Sequence, residues 1–358
     1  ANPASAIIRI PFLRLKSAAT NPIAPVFYLE GGPGASSTWI ADNPRALDNW
    51  APLVKLGDVV FFDQRGTGAA AERLTWINFA PLPEDVLVSE AAAVEHYQAM
   101  VAPAQEAWRK AGVDIKGYTT MESAKDIDEL RQAMGLEKIS IIGFSYGTHL
   151  GQAYMKYFGK HLDKAILVGT EGLAENFKLP LRMDAQFRKL SAMVAADGAV
   201  NKDIPDLMAL YQRVSEKLSK VPVTLSLTSP LTGEAMAMKV GKFGLDHILF
   251  RDLGDASDLP VIPRLLYDID HGDYSAFTWF VQKRLGGFFG LYAMSANMDI
   301  ASGLSAERLA TIIRQSKESM FGNVLNTPYL ALRETWNALD LGADFRADFT
   351  SNVPTLLL

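Results

Sequence analysis

Three short apolar runs, each emptying into a glycine-bearing loop, constrain this chain more than any other feature. Residues 25–29 (PVFYL) lead into Glu30-Gly31-Gly32-Pro33-Gly34. Residues 58–62 (DVVFF) lead into Asp63-Gln64-Arg65-Gly66-Thr67-Gly68, and residues 138–142 (KISII) into Gly143-Phe144-Ser145-Tyr146-Gly147. Short apolar runs bounded by turn formers read as buried strands. The segments between them read as helices: 89–111 is alanine-rich and periodic, and 120–134 has Thr119 or Thr120 near its N-cap and Gly135 at its end. A helix is also expected from the third loop to about Phe158, followed by a strand at 164–168 (KAILV). Strand and helix alternating at this spacing predict an α/β fold, a mostly parallel central sheet with helices on both faces. Flanking the first two runs, residues 6–15 read as a strand and 45–54 as one short helix despite Pro52.

The pattern changes after Glu171. From about 173 to 326 the chain reads as mainly helical, interrupted by a hairpin of 223–227 and 235–240 around Pro230-Leu231-Thr232-Gly233. This predicts a core at 1–172, an inserted helical cap at 173–326, and a return to the core at 327–358 through a strand at 353–358 (VPTLLL).

Composition removes several function classes. A formal net charge of -5 over 358 residues is not the basic footprint of a nucleic-acid binder. There is no cysteine, which excludes disulfides, thiolate metal sites and a cysteine nucleophile. No H-E-x-x-H or similarly spaced ligand cluster occurs, so neither metal nor cofactor is expected. No apolar run is long enough to span a bilayer, and no charged segment followed by an apolar stretch marks a signal peptide at the N-terminus. Compartment and oligomeric state stay open.

Gly143-Phe144-Ser145-Tyr146-Gly147 fits G-x-S-x-G. In a strand–turn–helix context that spacing puts the serine at the tip of a strained corner, with glycines where neighbouring backbone passes closely. Ser145 is thus the candidate nucleophile. The Tyr146 N–H, at a helix N-terminus, is one candidate oxyanion donor and the Gly32 N–H the other. A phosphate-binding reading of the glycine loop fails, because neither G-x-x-x-x-G-K-[ST] nor G-x-G-x-x-G stands there. Asp63 and Arg65 are expected to form a buried pair bracing the floor of the site. Glu171, after the strand at 164–168, is a candidate carboxylate for a substrate amine, a catalytic acid, or a plain loop residue. The aromatics Phe277, Trp279, Phe280, Phe288, Phe289 and Tyr292 are expected to serve helix packing, with a pocket lining as the rival reading.

Together, GGPG, DQRG-x-G and G-x-S-x-G in this order resemble the proline iminopeptidase and tripeptidyl aminopeptidase branch of the α/β-hydrolases. The motifs span residues 31 to 147, and the likeness extends to 164–172 and to 348–358. The resemblance implies a serine hydrolase that removes residues from a free N-terminus, or a related esterase or amidase, acting through an acyl-enzyme on short peptides or small esters and amides. It also implies an amine-binding role for Glu171. The chain departs from the family pattern at Glu30, where proline iminopeptidases often carry histidine, and in lacking the cysteines of some relatives. The resemblance places the family's catalytic aspartate and histidine loops beyond Leu358, so 1–358 is expected to be part of a longer protein, missing a strand of the first hairpin and low in activity on its own. A non-catalytic binding protein that keeps the fold is the remaining alternative. The five histidines, His96, His149, His161, His247 and His271, are expected to be surface or packing residues, His271 being the best placed to reach Ser145.

Overall fold

The computed structural model describes residues 7–69, 74, 82–290 and 293–358. Its main sheet has six strands: β1 (Phe12–Leu15), β2 (Val26–Leu29), β3 (Val59–Phe62), β4 (Ile139–Phe144), β5 (Leu162–Val168) and β8 (Thr355–Leu357). Their order is β1-β3-β2-β4-β5-β8. Only β1 runs antiparallel, against β3, and the other pairs are parallel. β3 is buried throughout, as the run DVVFF requires. The strand expected over 6–15 is confined to β1 among the described residues, and Ala6 lies outside them. The helix expected over 45–54 is two short pieces, α1 (Pro44–Asp48) and α2 (Ala51–Val54), each with proline in its first turn, where a missing N–H costs nothing.

α3 (Glu90–Lys110) starts on a Ser89 cap and α4 (Thr120–Ala133) on a Thr119 cap, each hydroxyl accepting an N–H three residues on. α5 (Tyr146–Phe158) follows β4. The chain leaves β2 for β3 on one side and returns through α3 and α4 to β4 on the other. The strand order therefore reverses at β2 and β4, and such a reversal opens a crevice at the carboxyl ends of the strands. The loop 30–34 and Ser145 both lie there.

The later helical region holds α6 (Leu181–Ala196), α7 (Leu207–Lys220), the hairpin β6 (Val223–Thr228) and β7 (Ala235–Val240), then α8 (Lys242–Asp252), α9 (Ile262–Asp270), α10 (Ser275–Leu285), α11 (Ala293–Ser302) and α12 (Ala306–Glu318). α13 (Tyr329–Leu332) and α14 (Gly342–Arg346) lead to β8. One hydrophobic cluster runs from Phe27, Val60 and Ile141 in the sheet to Phe187, Leu249 and Phe280 in these helices. Phe277, Phe280, Phe288 and Phe289 are buried in it, Trp279 is exposed, and Tyr292 lies outside the described residues.

The two faces of the sheet differ. Ile139, Ile141, Ala165 and Leu167 point to the face packed by α5 and are buried. On the opposite face Ile142, Ile166 and Leu356 form one cross-strand row and Phe144 and Val168 the next. Tyr28, Trp50 and Phe61 cover that face at the β2–β3 end. Toward β8 it is open among the described residues: Phe144 is 49% exposed and Leu356 51%. Parallel sheets ordinarily bury both faces, so this open apolar surface is unusual. The isolated 358-residue chain is therefore expected to bind 1-anilinonaphthalene-8-sulfonate in its native state. Leu356→Thr with Leu358→Thr should cut that fluorescence by roughly half while shifting the urea midpoint by the equivalent of about 0.5 kcal/mol or less.

Candidate active site

β4 ends at Phe144 and α5 begins at Tyr146, so Ser145 alone makes the corner. Its φ is 53° and its ψ is −123°, a backbone state that L-residues rarely adopt. Three glycines make room for it. A Cβ on Gly143 would stand 2.5 Å from the Gly147 carbonyl oxygen, and a Cβ on Gly147 would overlap the Leu29 carbonyl. A Cβ on Gly31 would stand 3.0 Å from both the Phe144 oxygen and Ser145 Cβ, and 3.6 Å from Ser145 Oγ. The ends of β2 and β4, the start of α5 and the loop 30–34 thus meet at one point. The Ser145 N–H donates to the Val168 carbonyl at 2.9 Å, and its carbonyl accepts from the Thr148 N–H at 2.8 Å and the Thr148 hydroxyl at 2.7 Å. Ser145 is exposed.

Tyr146 is the first residue of a 13-residue helix, so its N–H precedes any intrahelical acceptor and carries the positive end of the helix dipole. Gly32 has φ 115°, and no acceptor among the described residues takes its N–H. The Gly31 N–H is instead occupied by its neighbour Glu30, whose Oε1 accepts at 2.8 Å. The loop is also held from the helical region: the Ser295 hydroxyl on α11 donates to the Pro33 carbonyl, and a Cβ on Gly34 would lie 3.3 Å from Met294 Cβ.

Asp63 and Arg65 do not pair with each other, contrary to expectation. Asp63, fully buried, accepts from the Ser37 and Thr38 N–H groups at 2.8 and 3.1 Å, the Ser36 and Thr38 hydroxyls at 2.8 and 2.6 Å, and the Ala69 N–H at 3.0 Å. Burial alone would push its carboxyl up. The bonds from Thr38, Ala69 and Ser36 outweigh burial and hold it below the usual range. Arg65 makes a forked pair with Asp126 at 2.6 and 2.8 Å and donates to the Gly117 carbonyl at 2.6 Å. The two charges tie different loops because each finds a closer set of partners across the fold than its near neighbour in sequence.

Glu171 sits on the segment leaving β5. Its N–H donates to Thr148 Oγ1 at 2.8 Å, and its carboxylate pairs with Lys178. Sequence reasoning missed Asp299 on α11. Ser295, Asp299 and Ser302 recur at i, i+4 and i+7, a polar stripe on one helix face that was the available signal. Ser295 reaches the loop 30–34 and Ser302 reaches His149, so Asp299 lies between them on the side facing the corner. Burial and the Glu171 charge push its carboxyl well above the usual range, with Lys178 acting in the opposite sense.

None of the five histidines hydrogen-bonds to Ser145. His271 is exposed and bonds the Tyr267 carbonyl within its own helical turn. His96 and His161 contact the Phe288 and Glu137 carbonyls. His247 sits among Phe243, Phe250 and Phe288, and burial, aided by Arg251 and Arg284, pulls it down to about 3. His149 is fully buried, within the surface-or-packing expectation.

The sheet order, the corner at Ser145 and the glycine loop beside it define a class, and the comparisons agree. A family model described as the alpha/beta hydrolase fold matches residues 24–240, more than half of the chain, and the protein belongs to that family. Among individual proteins, it is 30% identical over 151 residues to the tripeptidyl aminopeptidase of Streptomyces lividans, a match covering 40% of this chain and 27% of that protein. Over 218 residues it is 30% identical to the serine protease Hip1 of Mycobacterium tuberculosis, covering 56% and 39%. The chain thus spans well under half the length of these curated relatives. An esterase from Exiguobacterium antarcticum aligns in structure at 16% identity and a TM-score of 0.30, over 60% of this chain and 62% of that one, a likeness that adds nothing to the family match.

Gly147→Ala drives a methyl group into the Leu29 carbonyl, and it should cost roughly 3 kcal/mol or more in urea melts, or prevent folding. Asp63→Asn should cost roughly 2–4 kcal/mol at neutral pH, because it sets an amide against five donors. A carboxyl whose folded pKa is depressed adds stability above its unfolded value and loses it as pH falls through the folded value. The gap in stability between wild type and Asp63→Asn should therefore stay constant from neutrality to mildly acidic pH and shrink below 3.8.

Proposed function

We propose that this protein is a serine hydrolase that releases residues from the free N-terminus of short peptides, with Ser145 as nucleophile. The observation that carries the reading is the strained Ser145 corner, φ 53°, with its hydroxyl beside Gly31 at the start of α5. In the proposed reaction Ser145 Oγ attacks the scissile carbonyl. The carbonyl oxygen takes on negative charge and is met by the Gly32 and Tyr146 N–H groups, and collapse expels the amine and leaves an acyl-enzyme. Water then releases the acid and restores Ser145. The Ser145 proton passes through a general base to the leaving amine; among the described side chains none hydrogen-bonds to Ser145 in that role.

Glu171 and Asp299 are assigned to the substrate's ammonium group. Lys178 balances the Glu171 carboxylate, and burial beside that charge favours the protonated form of Asp299, so the arriving ammonium group is what would draw Asp299 into its charged form. The aminopeptidase name of the Streptomyces relative supports the same substrate class.

The test uses the natural full-length protein. A fluorophosphonate should label it at Ser145, and Ser145→Ala should abolish both labelling and hydrolysis of a tripeptide chromogenic amide. N-acetylation of that substrate should lower kcat/KM at least about tenfold, the loss expected for one charge-assisted contact. Equal turnover of the acetylated and free substrates would overturn the aminopeptidase reading. Ester turnover with no amide turnover would replace it with an esterase.

A further inference from the structure

His149 follows Ser145 by one helical turn, and its two ring nitrogens face different parts of the molecule. Nδ1 lies 3.1 Å from the Gly172 carbonyl, next to Glu171, and Nε2 lies 3.0 Å from Ser302 Oγ on α11. A carbonyl only accepts, so Nδ1 carries the hydrogen. In the neutral ring Nε2 is then bare, and the Ser302 hydroxyl must donate to it. Ser302 Oγ is in turn 3.3 Å from Thr120 Oγ1 on α4, which is 2.8 Å from the Tyr146 hydroxyl. The His149 ring stacks on Tyr146 at 5.6 Å and meets Phe345 at 5.7 Å. His149, Ser302, Thr120 and Tyr146 are all at most 2% exposed.

We infer that His149 is a positioning residue: one ring nitrogen holds the Glu171 segment and the other holds α11, so the helix behind Ser145 sets the spacing of the two walls of the site. Gly172 adjoins Glu171, and Ser302 lies three residues from Asp299 on the same helix. The spacing set by His149 is therefore that of the two carboxylates. The functional meaning rests on the Ser145 reading; the hydrogen-bond chain does not. A protonated ring would present a second donor to Ser302, and the hydroxyl chain through Thr120 would have to reverse inside the core. Burial accordingly pulls His149 below its ordinary value, although Glu171 acts in the opposite sense, and Lys178, which pairs with Glu171, adds to the fall.

The test needs no catalysis. Long-range 1H–15N spectra of the unmodified protein should show His149 as the neutral Nδ1–H tautomer between about pH 6 and pH 8. The Nε2–H tautomer, or an imidazolium at neutral pH, would overturn the inference. His149→Asn keeps a donor toward Gly172 but loses the acceptor for Ser302. Amide exchange in α11 should rise about tenfold while exchange at 171–173 stays within about twofold. Ser302→Ala should give the same rise, and the double variant should add nothing further. Multiplying effects, or unchanged α11 exchange in a folded His149→Asn protein, would also overturn it. If either variant fails to fold, the spectra of the unmodified protein decide. Loss of Ser145 labelling in the full-length protein would sink the hydrolase proposal and leave these results intact.

Discussion

The contact between the backbone of Gly147 and the carbonyl of Leu29 governs the architecture of the site. No side chain fits between the start of α5 and the end of β2, so the helix enters directly against the sheet. That approach leaves one residue, Ser145, to turn the chain from strand to helix, and it does so at positive φ. A non-glycine residue held there costs about 1–3 kcal/mol. The parallel pairing of β4 with β2 and β5 and the packing of α5 on the sheet supply the compensation.

The loops around that corner are held from several directions. Asp63 gathers five donors from 36–38 and Ala69, and so fixes the segment that follows the loop 30–34. Arg65 reaches the other way, to Asp126 on α4 and to the Gly117 carbonyl. α11 closes the arrangement through Ser295 on the glycine loop, Met298 against the Tyr146 hydroxyl, and Ser302 on His149. A helix distant in sequence is thereby joined to two of the elements that meet at Ser145, the loop 30–34 and α5. The continuous hydrophobic cluster from sheet to helices makes the same connection in apolar contacts.

Much of this was legible in the sequence, for local reasons. The caps at Ser89 and Thr119, the strands at 26–29, 59–62 and 139–144, and the hairpin near 233 follow from residue type and spacing alone. The strand–turn–helix context of Ser145 was legible for the same reason, since glycines flank a position that needs room. Reading residues 45–54 as one helix failed because the two prolines, Pro44 and Pro52, each sit in the first turn of a separate short helix.

What the chain determined by itself was the set of local conformations: where strands end, where helices start, and which corner must be strained. These depend on steric and hydrogen-bonding preferences that act within a few residues. Only the tertiary structure decided the partners of Asp63 and Arg65, the arrival of Asp299 beside Glu171, and the burial of His149 between two distant segments. Each of these joins positions tens to more than a hundred residues apart. Periodicity and propensity say nothing about which distant donor meets which acceptor, because that choice is made by the packing of whole elements against one another.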